Sequence, residues 1–440
     1  MNRIALLFAL VFLLLTTACG ADWSATDDPA GDVTPTISPT QPAPTATSIG
    51  CNALTVVYAR EDANAVGNGN AGENGTVYLW KEGGSAEQLS SAGGVSKVRI
   101  SLNCRWVAYL QNNELMLAPT DRNTAPKPLV TNFFLDSLAM GGGRIVRFDF
   151  SPDSQAIYFT TYIDGDNGGL DLFKIDMNVQ MPVRFVGPGL GGNYTISPDS
   201  KCLTISRPNQ LDVYCDGYRQ PQRVFDLADE CGFGADEGPD VQWKGDSSGF
   251  YVVTPKCDNN TLYGHLILWD VSLAAMAANK PPQNRAEFVG WTYDMVVIAP
   301  NGNCLAHMMD NGDLRDLHLV CTDNSDVIYA SYPKDAFEFQ NWSPDSKYFV
   351  FLMNPDSKRN GSIASPYYAD RIEMPKPLLS EQSSGINWMA APVTRISWVG
   401  SNRILFISKG LWVETLGGAI SPIDNNASSL FDDYAFAYPK

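Results

Sequence analysis

One tetrapeptide recurs along the chain, and each copy precedes a short run of apolar, strand-forming residues. The copies are Ser151-Pro152-Asp153-Ser154 before AIYFTTY, Ser197-Pro198-Asp199-Ser200 before CLTIS, and Ser343-Pro344-Asp345-Ser346 before YFVFLM. Proline fixes φ for the second place of a β-turn and aspartate tolerates the third, so each copy indicates a turn followed by a strand. Repetition on this scale predicts an array of similar units.

The repeated unit contains four strands: one that ends at the turn, two apolar strands joined by a hairpin, and a more polar fourth. Its central pairs are TVVYAR with TVYLWK, RWVAYL with ELMLAP, AIYFTTY with LDLFKI, CLTIS with LDVYC, GFYVVT with LILWDV, CLAHMM with LHLVC, YFVFLM with a weaker partner, and RILFIS with LWVETL. A spacing of roughly 45 to 55 residues is typical of four-stranded propeller blades. We therefore predict an all-β chain that forms a single β-propeller of four-stranded antiparallel blades, eight in number, with seven as the alternative. A β-sandwich gives no reason for one turn motif to recur.

The turn, the apolar strand and the hairpin together resemble the WD40-like or PD40 repeat of TolB-like β-propellers, over about residues 48 to 430. Three copies depart from the pattern: Ser101-Leu102-Asn103, Lys244-Gly245-Asp246-Ser247 and Ala299-Pro300-Asn301-Gly302. The resemblance implies a fold and leaves function open, because such scaffolds serve many unrelated activities. Closing the ring requires one blade to use a strand from the other terminus, and the C-terminal segment SSLFDDYAFAYPK is the candidate innermost strand of the first blade.

The N-terminal segment has the features of an export signal. Residues 1–18 contain Arg3, an apolar run and a small-residue stretch, which together predict a signal peptide too short to be a spanning helix. The sequence Thr16-Thr17-Ala18-Cys19 resembles the lipobox of bacterial lipoproteins, although Thr16 stands where that family prefers leucine. This resemblance implies lipidation at Cys19, and an ordinary cleaved signal peptide is the alternative. Residues 19–47, rich in proline and threonine, predict a disordered linker to a propeller over residues 48–440.

The charge balance is acidic, with 48 Asp and Glu against 31 Lys and Arg. This balance makes nucleic acid and anionic lipid surfaces poor partners for the folded part. The predicted lipid would anchor the exported protein at the outer face of the cytoplasmic membrane or in the outer membrane. We expect a monomer whose partner is an envelope protein or a glycan.

Eight cysteines besides Cys19 predict disulfides in an exported chain. Cys202 pairs with Cys215, and Cys304 with Cys321, if residues symmetric about a hairpin turn face each other. Cys51 and Cys104 each follow a serine by three residues in matching turns, which suggests a bridge between the first two blades. The remaining pair is Cys231 with Cys257. Free buried thiols are the alternative.

The sequence contains no H-E-x-x-H, no G-x-x-x-x-G-K-[ST] phosphate loop and no C-x-x-C. Gly245-Asp246-Ser247-Ser248-Gly249 matches G-x-S-x-G in spacing, but it overlaps the turn copy Lys244-Gly245-Asp246-Ser247, so we assign no catalytic or cofactor-binding residue. His307 and His318 are symmetric about one hairpin turn, which permits a transition-metal site, but a packed cross-strand pair is the preferred interpretation. The hairpin containing Asp164, Asp166 and Asp171 resembles a calcium loop in composition and lacks EF-hand spacing. Turn chemistry alone explains its composition, so we predict no cofactor, with calcium as the possibility that stays open.

Polar residues recur on the innermost strands, just before the turns. Arg99 and Arg395 occupy this place in two units, where Asp149, Thr195 and Asn341 stand in others. They predict either a polar ring that holds a ligand or salt bridges between blades, and the second is preferred. The function that fits is a binding scaffold without catalysis. The alternatives are a propeller hydrolase or lyase acting on extracellular glycans, and a structural envelope spacer.

Overall fold

The computed structural model describes most of the chain after residue 50. The described residues are 51–62, 75–90, 93–138, 143–162, 170–216, 220–226, 238–256, 266–288, 296–322, 326–333, 337–353, 365–370, 376–377, 393, 395–408, 410–416, 420–426 and 429–439. All of them belong to one compact unit, Ser48–Lys440. No helix among them has the length and apolar character needed to cross a membrane.

The strands form eight antiparallel sheets of four strands each, numbered here in chain order. The first sheet combines β1 (Thr55–Asp62), β2 (Thr76–Lys81) and β3 (Glu87–Gln88) with the last strand of the chain, β32 (Ser429–Ala437). The second contains β4 (Val95–Ile100), β5 (Trp106–Gln111), β6 (Glu114–Pro119) and β7 (Lys127–Val130). The third contains β8 (Arg144–Phe150), β9 (Ala156–Tyr162), β10 (Leu170–Asp176) and β11 (Pro182–Arg184).

The middle of the chain continues the same pattern of four consecutive strands. The fourth sheet contains β12 (Asn193–Ile196), β13 (Cys202–Arg207), β14 (Gln210–Cys215) and β15 (Gln222–Asp226). The fifth contains β16 (Val241–Trp243), β17 (Gly249–Pro255), β18 (Leu266–Ser272) and β19 (Gln283–Phe288). The sixth contains β20 (Val296–Ile298), β21 (Cys304–Asn311), β22 (Leu314–Cys321) and β23 (Asp326–Pro333).

Two more sheets complete the ring. The seventh contains β24 (Phe337–Trp342), β25 (Tyr348–Met353), β26 (Ser365–Asp370) and β27 (Lys376–Pro377). The eighth contains β28 (Arg395–Val399), β29 (Arg403–Ile407), β30 (Leu411–Thr415) and β31 (Ile420–Asp424). Two short helices lie in connections, α1 (Asn132–Leu138) before β8 and α2 (Leu273–Ala277) after β18.

The C-terminal strand closes the ring as the sequence predicts. β32 pairs antiparallel with β1, with Tyr434 opposite Tyr58, and supplies the first sheet with its inner edge. Neighbouring sheets contact each other through such inner strands, since β4 touches both β32 and β8, and β24 touches both β20 and β28. The structure is therefore a β-propeller, and its strand pairing gives the larger of the two predicted blade counts.

The hydrophobic core is divided among the interfaces between sheets. Eight clusters of buried residues each combine side chains from two consecutive sheets. One of them joins Val56 and Tyr58 of the first sheet to Val399 and Leu405 of the eighth. Because both faces of each sheet are covered in this way, apolar residues occupy both faces of the central strands.

The recurring tetrapeptide forms a turn held by its own side chains. Ser151 Oγ donates to Asp153 Oδ1 at 2.6 Å and accepts from the Ala156 amide at 2.9 Å. The copies that begin at Ser197 and Ser343 make the same contacts. Burial raises the pKa of Asp199, but hydrogen bonds from the Ser197 hydroxyl and the Lys201 amide lower it by more. The net effect is a lowered pKa. The aspartates are turn residues.

The fourth residue of the turn connects one blade to the preceding blade. It has a left-handed backbone at Ser154, Ser200, Ser247 and Ser346, with φ of 61°, 63°, 60° and 61°. Each of these hydroxyls accepts a hydrogen bond from the third turn residue of the preceding blade, at 2.9 to 3.2 Å: Asn103 to Ser154, Asp153 to Ser200, Asp199 to Ser247 and Asn301 to Ser346. In the second blade this place is Cys104, with φ of 53°.

Tryptophans just before the turns make a second series of contacts between blades. The Nε1–H groups of Trp243, Trp342 and Trp398 donate to the carbonyl oxygens of Thr195, Val297 and Asn341, respectively, at 3.3, 2.9 and 3.1 Å. Each acceptor lies on the inner strand of the preceding blade or beside it. These three tryptophans are buried and belong to the core.

Candidate functional site

Several predicted site residues lie outside the part of the chain that the structure describes. They are Cys19, Asp164, Asp166, Cys231 and Cys257. Lipidation, the calcium loop and the fourth disulfide therefore stay predictions.

Three disulfides join the other six cysteines in the pairs that the sequence predicts. Cys202 and Cys215 lie directly opposite each other on β13 and β14, and Cys304 and Cys321 do so on β21 and β22, with Cα separations of 4.0 Å in both. Cys51 binds Cys104 across the first two blades. Cys104 takes the turn place where four other blades have a serine, so this disulfide replaces the hydrogen bond between blades.

His307 and His318 lie side by side in a packed aromatic group. They are directly opposite on β21 and β22, with ring centroids 4.8 Å apart and nearly parallel planes, and both are buried. The ring of Phe288 lies 5.2 Å from that of His307. This geometry is that of the cross-strand pair preferred from the sequence.

Asp171 has a structural role in the third blade. Its side chain is fully buried, and Oδ2 lies 2.8 Å from Arg184 Nη2 on the neighbouring strand β11. Oδ1 accepts a hydrogen bond from the Gly189 amide at 2.6 Å. Asp212, on β14, is likewise held by Arg223 of β15, so an aspartate near the start of the third strand recurs in the repeat. Within the described residues, no group of three or more His, Cys, Asp or Glu could hold a metal ion.

The inner strands carry a cluster of ionic side chains that bridges consecutive blades. Arg99 on β4 lies between two carboxylates, with Nε 3.1 Å from Asp149 on β8 and Nη1 3.2 Å from Asp433 on β32. Asp433 Oδ2 also accepts a hydrogen bond from the Val98 amide at 2.9 Å. Arg99 and Asp149 therefore form a salt bridge between blades, which is the preferred of the two predictions made from the sequence.

Each of the two carboxylates binds a second arginine. Arg147 Nε lies 2.6 Å from Asp149, and Arg395 on β28 forms an ion pair with Asp433. These two arginines have equivalent surroundings, because each guanidinium lies over a tyrosine of the next blade. Arg147 is 4.8 Å from the Tyr194 ring centroid, and Arg395 is 4.6 Å from that of Tyr434.

More basic groups extend the cluster at the start of β4 and β8. Lys97 Nζ donates to the Val146 carbonyl, and burial together with the positive charges of Arg99 and Arg144 lowers the pKa of Lys97. Burial and the charge of Arg99 also lower the pKa of Arg395. A lowered pKa on a cation means that its surroundings disfavour the positive charge.

We call these residues the central ionic cluster: Lys97, Arg99, Arg144, Arg147, Asp149, Asp240, Arg395 and Asp433. Asp240 precedes β16, and its pKa is raised by burial against the opposing effect of Arg147. Charges two blades apart affect each other here, as between Arg99 and Arg395, which is possible only near the propeller axis. Five basic residues thus surround three acidic ones in a chain with a formal net charge of −17. The cluster is a local positive region suited to an anion.

Two residues of the predicted ring do not join this cluster. Thr195 hydrogen-bonds Thr204 at 2.7 Å, and the carbonyl of Asn341 accepts from Trp398. Conversely, sequence reasoning missed Lys97, Arg144, Arg147, Asp240 and Asp433. The spacing of Arg147 two residues before Asp149 was the available signal, because alternate residues of a strand share a face.

Comparison with known proteins finds similarity to solved structures only. No family model and no curated protein matches the sequence. Among solved structures, TolB from Acinetobacter baumannii has 15% identity and a TM-score of 0.33, covering 61% of both chains. Oligogalacturonate lyase from Vibrio parahaemolyticus has 12% identity and a TM-score of 0.47, covering 72% of this chain and 92% of the lyase. A eukaryotic initiation factor has 10% identity and a TM-score of 0.48, covering 88% and 99%. TolB is thus among the solved structures that the chain resembles, while the strand pairing itself identifies the chain as a β-propeller.

Proposed function

We propose that the protein is an exported binding module, anchored by a lipid at Cys19, that binds an anionic group at the central ionic cluster without covalent chemistry. The observation that carries this proposal is the excess of basic over acidic residues near the axis, counted over the part of the chain that the structure describes. Electrostatic attraction would concentrate an anionic group of a partner there, and arginine forks suit carboxylate or phosphate.

Binding is favoured over catalysis by the state of two of the three carboxylates in the cluster. Asp149 and Asp433 each contact two arginines, so their oxygens are already occupied by donors. A general base needs an oxygen free to take a proton from a substrate. The two central carboxylates of the cluster therefore serve to hold arginines in position.

Export is supported by the covalent structure. The three disulfides are typical of proteins that fold in an oxidising compartment. The predicted signal peptide and linker fit the same location. Lipid attachment would leave the propeller held near a membrane surface by residues 19–47.

The test measures binding of citrate and inorganic phosphate by calorimetry at low ionic strength. We expect Arg147→Gln and Arg395→Gln each to weaken binding of at least one anion about tenfold, the loss of one charge-assisted contact. Arg223→Gln is the matched control, because Arg223 also binds an aspartate at 2.6 Å and is 43% exposed against 41% for Arg147. Absence of anion binding, or equal weakening by the control variant, would contradict the proposal.

A further inference from the structure

A cleft with a volume of about 350 Å³ lies between the third and fourth blades. Its position differs from that of the central ionic cluster, since its wall includes the Ser200 turn and the Cys202–Cys215 disulfide. The volume falls at the lower end of the ~300–1,000 Å³ found for small-molecule sites. It therefore suits a small molecule or one terminal unit of a longer chain.

Three aromatic rings form the apolar wall of this cleft. Phe185 lies between two tyrosines, with its ring centroid 5.6 Å from that of Tyr158 and 5.6 Å from that of Tyr214. Tyr158 is 5% exposed, whereas Phe185 and Tyr214 are half-buried and accessible from the cleft. Half-exposed aromatic rings offer an apolar surface on which a flat ligand can lie.

Charged groups of both signs surround the aromatic wall. Lys174 Nζ lies 5.5 Å from the Tyr158 ring centroid, and Lys201 and Asp216 are exposed at the rim. Among the described residues, none of these three groups forms an ion pair within 4.0 Å. At the equivalent turn place of the seventh blade, Lys347 does pair with its aspartate, Asp345, at 3.3 Å. The cleft thus offers ammonium donors and a carboxylate acceptor beside an apolar face.

We infer that this cleft binds a sugar ring, with the apolar face of the ring against Phe185 and Tyr214. Sugar hydroxyls both donate and accept, so one ring can bond Asp216 and the two lysines together. An apolar peptide side chain has no hydrogen-bonding group to offer the half-buried Lys174, and none for Lys201 and Asp216 at the rim. Hydrogen-bonding complementarity therefore favours a carbohydrate over a hydrophobic segment of a protein.

The experiment screens the full-length protein against a panel of neutral and acidic monosaccharides and short oligosaccharides by saturation-transfer NMR. Calorimetry then gives the affinity for the best saccharide. We expect Tyr214→Ala and Lys201→Ala to weaken binding at least tenfold. Lys347→Ala, at the equivalent turn, should change it less than twofold. Thermal melting of each variant establishes that it is folded, and Lys201→Ala tests an exposed side chain whose loss does not disturb the core.

Three results would overturn the inference. They are no saccharide binding by the wild-type protein, saccharide binding that both cleft variants retain, and binding of proline-rich or phenylalanine-containing peptides that Tyr214→Ala abolishes while saccharides fail to bind. Binding of citrate and inorganic phosphate is measured separately on the wild-type protein, so failure here and failure of the central anion site are distinguishable.

Discussion

Glu414 is a buried acid in the interface between the seventh and eighth blades. It lies on β30, is 3% exposed, and its Oε2 has no hydrogen-bond partner among the described residues. Its neighbours on the same sheet face, Trp412 and Leu416, pack against the apolar cluster there. Burial raises the pKa of Glu414 to about 8, because the charged form loses its hydration.

This shift makes stability depend on pH with a definite sign. In the unfolded chain the carboxyl ionises near its ordinary pKa of 4.5, whereas in the fold it stays protonated to about 8. Between these values the folded state binds one more proton, so its stability is greatest at low pH and falls as pH rises. If the whole pKa shift of Glu414 acts on stability, the free energy of unfolding falls by about 3.5 kcal/mol between pH 5 and pH 8. Solvent near the end of the strand screens part of this effect, so we expect the free energy of unfolding to fall by about 2 kcal/mol over this pH range.

The measurement is the free energy of unfolding in urea at pH 5, 6, 7 and 8 for the wild-type protein and Glu414→Gln. The glutamine keeps the shape and cannot titrate, so subtracting the two profiles isolates this one group. Glu87→Gln is the control, because Glu87 is an exposed acid paired with Arg122. The reasoning is refuted if the wild-type and Glu414→Gln profiles run parallel from pH 5 to pH 8.

The turn serines and the anchor give two further predictions. Ser200→Ala should lower the free energy of unfolding by about 0.5–1.5 kcal/mol, because the Asp153 amide loses its acceptor. Ser200→Gly should cost less, since glycine relieves the φ of 63°, and equal losses in urea titrations would contradict this account. Cys19→Ser should move the protein from the membrane to the soluble exported fraction and abolish labelling by a fatty-acid probe. Continued membrane retention of this variant would reject the lipid anchor.

The fold was predictable because the signals that specify it are local and repeated. Ser151, Ser197 and Ser343 each organise a turn through contacts within five residues, which any copy of the motif must make. The hairpin disulfides were predictable for the same reason, since symmetry about a turn brings Cys202 opposite Cys215. Ring closure by β32 followed from counting strands in the first blade.

Asp171 illustrates where composition misleads. Its glycine- and aspartate-rich surroundings resemble those of a cation site, but the partner of its carboxylate is Arg184, thirteen residues further along the chain on the next strand. The repeat itself held the better signal. Asp212 occupies a corresponding part of the third strand in the fourth blade, and an aspartate that recurs with the blades indicates a role common to them.

The central ionic cluster was predictable only in part, because β-bulges change which residues share a face. Strict alternation would place Arg144 on the sheet face opposite Arg147, but one extra residue, Val146, shifts the register between Ile145 and Arg147. Arg144 therefore joins the face of Arg147, while Ile145 packs beside Phe148 in the core. Lys97 is the corresponding extra residue in β4, with φ of 48°.

A spacing of three between buried apolar residues reveals such a bulge in principle. Val95 and Val98 are three residues apart, and both are fully buried. Ile145 and Phe148 have the same spacing and are almost fully buried. In a regular strand, by contrast, the buried residues are two apart. Bulges commonly lie next to functional sites because they redirect side chains. Here the two bulges touch, since Lys97 donates to the carbonyl of Val146, and together they concentrate basic groups where blades two and three meet the axis. The same irregularity that hid the cluster from a regular strand pattern is thus what assembles it.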